Sequence, residues 1–109
     1  TRTGDRSEFR MEATQNWIYS SLAANFPGRV LEPLLITLLP GHTRVEPYSH
    51  PGEEFGFVVE GTLTVLVEDK EFDLGPGDTI HLSSPVPHNW ENRTDKPVKA
   101  ILVNTPKIF

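Results

Sequence analysis

The chain contains no cysteine, which excludes a disulfide scaffold and every thiolate metal centre. Any metal must therefore sit on nitrogen and oxygen ligands. Basic residues are in the minority: ten Lys and Arg stand against fifteen Asp and Glu, for a net charge of −5. A domain that grips phosphates needs a basic face, and here the basic residues are scattered along the chain. No contact with nucleic acid is expected of this domain itself. No apolar run approaches the roughly 20 residues of a membrane span, and no signal peptide opens the chain. The expectation is a cytoplasmic protein with no membrane partner. Helical periods of useful length, internal repeats and low-complexity tracts are also missing.

What is present is turn chemistry. Ten prolines and eight glycines punctuate 109 residues, with apolar residues arriving in short bursts between them. This pattern predicts a single all-β domain with many turns. Residues 1–8 are polar and read as a linker or N-terminal tail, leaving 9–109 as the domain. The chain opens on Thr1 rather than Met, so a fragment or a processed product is expected. Strands are predicted over Phe9–Ala13, Trp17–Leu22, Val30–Leu39, Glu54–Glu60, Thr62–Glu68, Glu71–Leu74, Thr79–Leu82, His88–Asn92 and Val98–Asn104. Turns are expected at Pro27-Gly28, Pro40-Gly41, Gly61, Asp69-Lys70, Gly75-Pro76-Gly77-Asp78 and 93–96. Nine short strands with turns every eight to twelve residues predict a sandwich or barrel, with a jelly roll among the candidates.

Two stretches carry the chemistry: Tyr48-Ser-His50-Pro-Gly-Glu-Glu54 and Pro87-His88-Asn-Trp-Glu-Asn92. Side chains two apart on a strand share a face. Tyr48 therefore aligns with His50, Glu54 with Gly56 and Val58, and His88 with Trp90 and Asn92. If these strands enclose one cavity, His50, Glu54 and His88 converge in it. Two imidazoles and a carboxylate are a facial set suited to a divalent first-row metal with open positions. Trp90 would form an aromatic wall, Tyr48 would line the pocket, and Gly56 would leave space beside Glu54. Arg44, on the loop leading in, is the candidate to meet an anionic effector. Glu53 has the opposite parity to Glu54 and is expected in solvent. His42 follows a turn glycine and is expected on the surface, and His81 is given no ligand role. Trp17 and Tyr19 have core parity. Phe55, Phe57 and Val59 face away from Glu54, and three large apolar groups in a row need cover. The N-terminal strands or a partner subunit would supply it.

The spacing Gly41…Tyr48-Ser-His50-x3-Glu54-x6-Gly61 resembles the first cupin motif, and Ser83-x-Pro85-x2-His88-x3-Asn92 resembles the second. The likeness spans about residues 30–104. More narrowly, Ser49-His50-Pro-Gly-Glu-Glu54-Phe-x-Phe-Val-Val-Glu-Gly61 and the ending Asn104-Thr105-Pro106-x-x-Phe109 are similar to the C-terminal cupin sensor domain of XRE-type helix-turn-helix regulators. The chain departs from the pattern at Tyr48, where the first motif has a histidine, and at Ser83 and Pro85. His50, Glu54 and His88 remain as a 2-His-1-carboxylate set.

The resemblance implies a double-stranded β-helix, or jelly-roll cupin barrel, enclosing the metal or ligand. It implies the effector-sensing half of a bacterial transcription regulator, with DNA contacted through an N-terminal helix-turn-helix absent from this chain. A divalent metal (Zn, Ni, Mn or Fe), a small-molecule effector and a homodimer go with that reading, since helix-turn-helix regulators need a two-fold axis for palindromic half-sites. The rival expectation is a metal-dependent cupin enzyme, a dioxygenase or epoxidase or an isomerase. A structural dimerisation module with a vestigial pocket is the third.

Overall fold

The computed structural model describes residues 8–10, 17–41 and 51–106. Within them the chain forms nine strands: β1 (Glu8–Arg10), β2 (Trp17–Ser21), β3 (Glu32–Leu38), β4 (Glu53–Glu60), β5 (Leu63–Val67), β6 (Lys70–Leu74), β7 (Thr79–Ser83), β8 (His88–Glu91) and β9 (Val98–Thr105). They pair antiparallel into a six-stranded sheet ordered β1-β2-β3-β9-β4-β7 and a three-stranded sheet ordered β6-β5-β8. This is the expected all-β jelly roll. No helix among the described residues is long and apolar enough to cross a membrane.

Boundaries differ from the sequence reading where backbone pairing overrides composition. The third strand starts at Glu32 rather than Val30, because Arg29 folds back to donate to the Leu31 carbonyl (2.6 Å) and the Glu32 carboxylate (2.8 Å). The turn expected at Asp69-Lys70 falls one residue earlier. Val67 pairs with Lys70, which leaves Glu68 and Asp69 as the loop. Glu68 takes φ 55°, and its N–H donates to the Pro87 carbonyl at 2.9 Å, tying this hairpin to the entrance of β8.

Alternation along β3, β4 and β9 sorts side chains onto two faces. Inward residues meet in register across the sheet, so the interior is built in tiers. One tier holds Ile36, Ala100 and Val58, and the next holds Leu34, Leu102, Gly56 and Ile80. Leu63, Val65 and Trp90 close over them from the small sheet and complete the buried cluster. Each such aliphatic side chain contributes about 1.5–3 kcal/mol when fully buried. Asn92 joins the sheets as a polar staple. Its Nδ2 donates to the carbonyls of Leu38 (2.9 Å) and Lys96 (2.7 Å), and its Oδ1 accepts from the Thr94 N–H and hydroxyl.

The outer face of β4 leaves Phe55 and Phe57 each 39% exposed and Val59 45% exposed. Of the two covers expected for this row, the N-terminal strands or a partner subunit, β1 and β2 do not supply one. β1 and β2 lie at the far edge of the sheet, beyond β3, and extend it rather than layering onto it.

Gly61 turns β4 into β5 at φ 82°, and a Cβ there would lie 2.8 Å from the Pro97 carbonyl oxygen and 3.0 Å from Val98 Cγ2. Gly61→Ala is predicted to cost about 1–3 kcal/mol through this left-handed backbone and the added clash. Urea denaturation measures it, and a change below about 0.5 kcal/mol, the size of an ordinary surface substitution, would contradict the packing described.

Arg93 forks onto Glu71 through both terminal nitrogens (3.0 and 3.1 Å) and reaches Glu91 through Nε (2.8 Å). The guanidinium holds the Glu71 carboxyl below its ordinary value of 4.5, by hydrogen bond first and charge second. A depressed folded-state value means that stability is present above the unfolded value and is lost as pH falls through the folded one. The acid limb of Tm below about pH 5 is therefore predicted to be shallower in Arg93→Ala than in the parent. The difference is small because the pair is exposed, and coincident limbs would refute the coupling.

Candidate functional site

Strand β4 begins under tight constraint. Gly52 has φ 100°, and a Cβ at this position would run into the Thr105 carbonyl at the end of β9. The Gly52 carbonyl in turn accepts from the Ser84 N–H at 2.9 Å. This junction sets the parity of β4: Glu54, Gly56 and Val58 point inward and Glu53, Phe55 and Phe57 outward. On the small sheet, β8 is buried along its whole length. Val67 pairs with His88 and Val65 with Trp90.

These two strands bring Glu54 and His88 together across the interior. Nε2 of His88 lies 2.8 Å from Oε2 of Glu54, with the side chains 0% and 2% exposed. The other ring nitrogen, Nδ1, donates to the Val86 carbonyl at 2.7 Å. A carbonyl only accepts, so this bond fixes the proton on Nδ1 and turns Nε2 toward Glu54. A buried imidazole held this way beside a carboxylate is the donor set that a divalent cation takes, with the backbone carbonyl orienting the ring. The residues present therefore fit two ligands of a metal centre. Among the described residues no group of three His, Asp or Glu side chains converges. The third predicted ligand, His50, lies outside the described residues, as do Tyr48, Arg44 and His42.

Trp90 is fully buried and meets His88 edge-on, with ring centroids 6.1 Å apart at 72°. The space that Gly56 leaves is filled by core: a Cβ there would sit 3.1 Å from Leu102, 3.3 Å from Ile80 and 3.9 Å from Trp90. Glu53 is in solvent as expected, 2.9 Å from His81 on the outer face. Both side chains are about two-thirds exposed, and His81 stays outside the barrel.

The structure also places residues that sequence reasoning did not assign. Asn104 is the register partner of Glu54 on one side and of Glu32 on the other, and all three are buried. Glu32 is neutralised by Arg29 at 2.8 Å. Ser84 continues the inward parity of Ile80 and Leu82 and is fully buried. The signal in the sequence was parity: Asn104 lies two residues past Leu102 on a strand whose inner face is otherwise apolar.

Comparison with known proteins agrees with this architecture. The Cupin_2 family model, a cupin domain, matches residues 34–104. The HTH-type transcriptional regulator PuuR of Escherichia coli is 30% identical over 83 residues, covering 76% of this chain and 45% of that protein. The chain thus spans less than half the length of this curated relative. Among solved structures, the Cupin_2 domain of an XRE family transcriptional regulator from Enterobacter cloacae superposes with a TM-score of 0.74 at 20% identity, covering 83% of this chain and 96% of that one. Hydroxypropylphosphonic acid epoxidase from S. wedmorenis gives 0.82 at 24% identity, covering 95% and 57%. With its sheets, motif spacing and interior accounted for, the chain belongs to the Cupin_2 family of cupin domains.

Proposed function

We propose that this chain is the effector-sensing domain of a cytoplasmic transcription regulator. It would bind a small molecule at a divalent-metal site formed by His50, Glu54 and His88. The observation that carries this reading is the buried Glu54–His88 pair, held from opposite sheets with the imidazole tautomer set by Val86. An imidazole and a carboxylate buried this deeply are costly to keep out of water without a further role. A divalent cation bound there supplies open coordination positions for an oxygen-bearing ligand. In this reading the chain's own residues hold the cation, Trp90 keeps water away, and Tyr48 and Arg44 are further ligand-binding residues.

The regulator relative supports sensing over catalysis. Its likeness in sequence runs over 76% of this chain, against 62% for the H2HPP isomerase of Bacillus subtilis, an enzyme 36% identical over 69 residues, while that to the epoxidase, which is known in an Fe(II) form, lies at an identity where fold alone is shared. In this reading the DNA-binding part lies N-terminal, and effector binding changes the geometry of two subunits. The outer face of β4 supports a dimer. Phe55 and Phe57 stand in register with Val103 and Ile101 of β9, giving a continuous apolar surface across two strands.

Elemental analysis of protein purified without chelator is expected to show close to one divalent metal per chain, lost in both His50→Ala and His88→Ala. Metal retained by either variant would remove that histidine from the site, and a metal-free parent that stays so after titration would discard the centre. Sedimentation velocity is expected to show a dimer that Phe57→Glu converts to monomer. A monomeric parent at tens of micromolar would sink the sheet-face interface.

A further inference from the structure

The tier of the interior that carries Glu54 differs from those beneath it. It runs Glu32–Asn104–Glu54–Leu82 across β3, β9, β4 and β7, where the tiers below are apolar. Two polar atoms here stand out. Oδ1 of Asn104 (2% exposed) and Oγ of Ser84 (0% exposed) are buried and have no hydrogen-bond partner among the described residues. Asn104 flanks Glu54 directly on β9. Ser84 lies diagonally from it, two residues beyond Leu82, Glu54's partner on β7. Buried polar groups are almost always satisfied, and one left open next to a site is a place where a ligand group belongs.

A cleft lies next to this tier. Between β6 and β7 lies a cleft of about 490 Å³, lined by Val67, Phe72, Leu74, Ile80 and Leu82 together with the polar Lys70, Thr79 and His81. Val67 is the register partner of His88, and Leu82 that of Glu54. Each half of the pair is thus one strand away from a residue lining the cleft, and the cleft's volume is within the usual range for a small-molecule pocket, about 300–1,000 Å³.

From these features we infer that the effector is a small hydroxy acid with an apolar side chain, read by Asn104 and Ser84. This rests on the metal reading above. The acid's carboxylate is drawn to the cation site, its hydroxyl donates to Asn104 Oδ1 and pairs with Ser84 Oγ, and its apolar part occupies the β6–β7 cleft. An amine could also donate to Asn104. Beside a divalent cation held by one carboxylate and neutral imidazoles, however, the local charge is positive and repels an ammonium. A site that reserves buried polar atoms for a hydroxyl discriminates strongly against the analogue lacking it.

The test is isothermal titration of the metal-loaded protein with 3-phenyllactate, its deoxy partner 3-phenylpropionate, and 2-phenylethylamine. The expected result is at least about tenfold tighter binding of the hydroxy acid over its deoxy partner, as a hydrogen-bonded hydroxyl gives, and no competition from the amine. Ser84→Ala and Asn104→Leu should each remove most of that preference while leaving metal content unchanged. Ser84→Ala is the smaller change and keeps the test open if Asn104→Leu folds poorly. Equal binding of the two acids, no binding of either, preference for the amine, or a preference that survives both variants would overturn the inference. Loss of the metal reading registers separately, as a metal-free parent by elemental analysis. A hydroxyl preference that depends on Ser84 in such protein would uphold the assignment of these two residues without the cation.

Discussion

The register of β9 against its two neighbours is the constraint on which the rest of the molecule depends. β9 lies at the centre of the large sheet and pairs along nearly its full length with β3 on one side and β4 on the other. A slip of one residue in either pairing would send every inward side chain of a strand to the outer face. The register puts Ala100 between Ile36 and Val58, Leu102 between Leu34 and Gly56, and Asn104 between Glu32 and Glu54. Core and site are therefore set by one alignment. The glycines at 52 and 61 protect it from both ends of β4, since backbone carbonyls of Thr105 and Pro97 occupy the space a side chain would need.

That alignment divides the interior by chemistry. Where the tiers are apolar, Trp90, Leu102 and Ile80 crowd around Gly56 and the barrel is packed as a core. Two strand positions away, Glu54, His88, Asn104, Glu32 and Ser84 are buried with few apolar neighbours in register. The two asparagines show the contrast. Asn92 satisfies both ends of its amide on backbone and Thr94 and so acts as structure. Asn104 keeps its oxygen in reserve beside a carboxylate. Polar groups placed in a low-dielectric interior are strong when partnered and costly when not, so the second arrangement is intelligible as a place kept for something else.

In the proposed reading, function depends on that tier rather than on the fold, which hosts regulators and enzymes alike. Acidic composition argues against direct DNA contact by this domain, and the apolar outer row of β4 argues for contact with protein. A regulator's sensor needs these two properties together with a buried site whose occupant can be exchanged. The cleft between β6 and β7 is lined by Val67 and Leu82, the register partners of the two residues that would hold the ligand.

Much of this was legible in the chain. Alternation predicted that Glu54 faces inward with Gly56 and Val58 while Phe55, Phe57 and Val59 face out, because strand geometry is local and has a period of two. Spacing around Glu54, His88 and Gly61 pointed to the cupin, and proline and glycine marked most turns. Local chemistry did not reveal which strands are neighbours. The placement of β1 and β2 at the sheet's far edge, the filling of the space at Gly56 by core, and the presence of Asn104 and Ser84 beside Glu54 all depend on pairings between residues distant in sequence. Parity decides which face a side chain takes, and only register, set by long-range hydrogen bonding and packing, decides what it meets there.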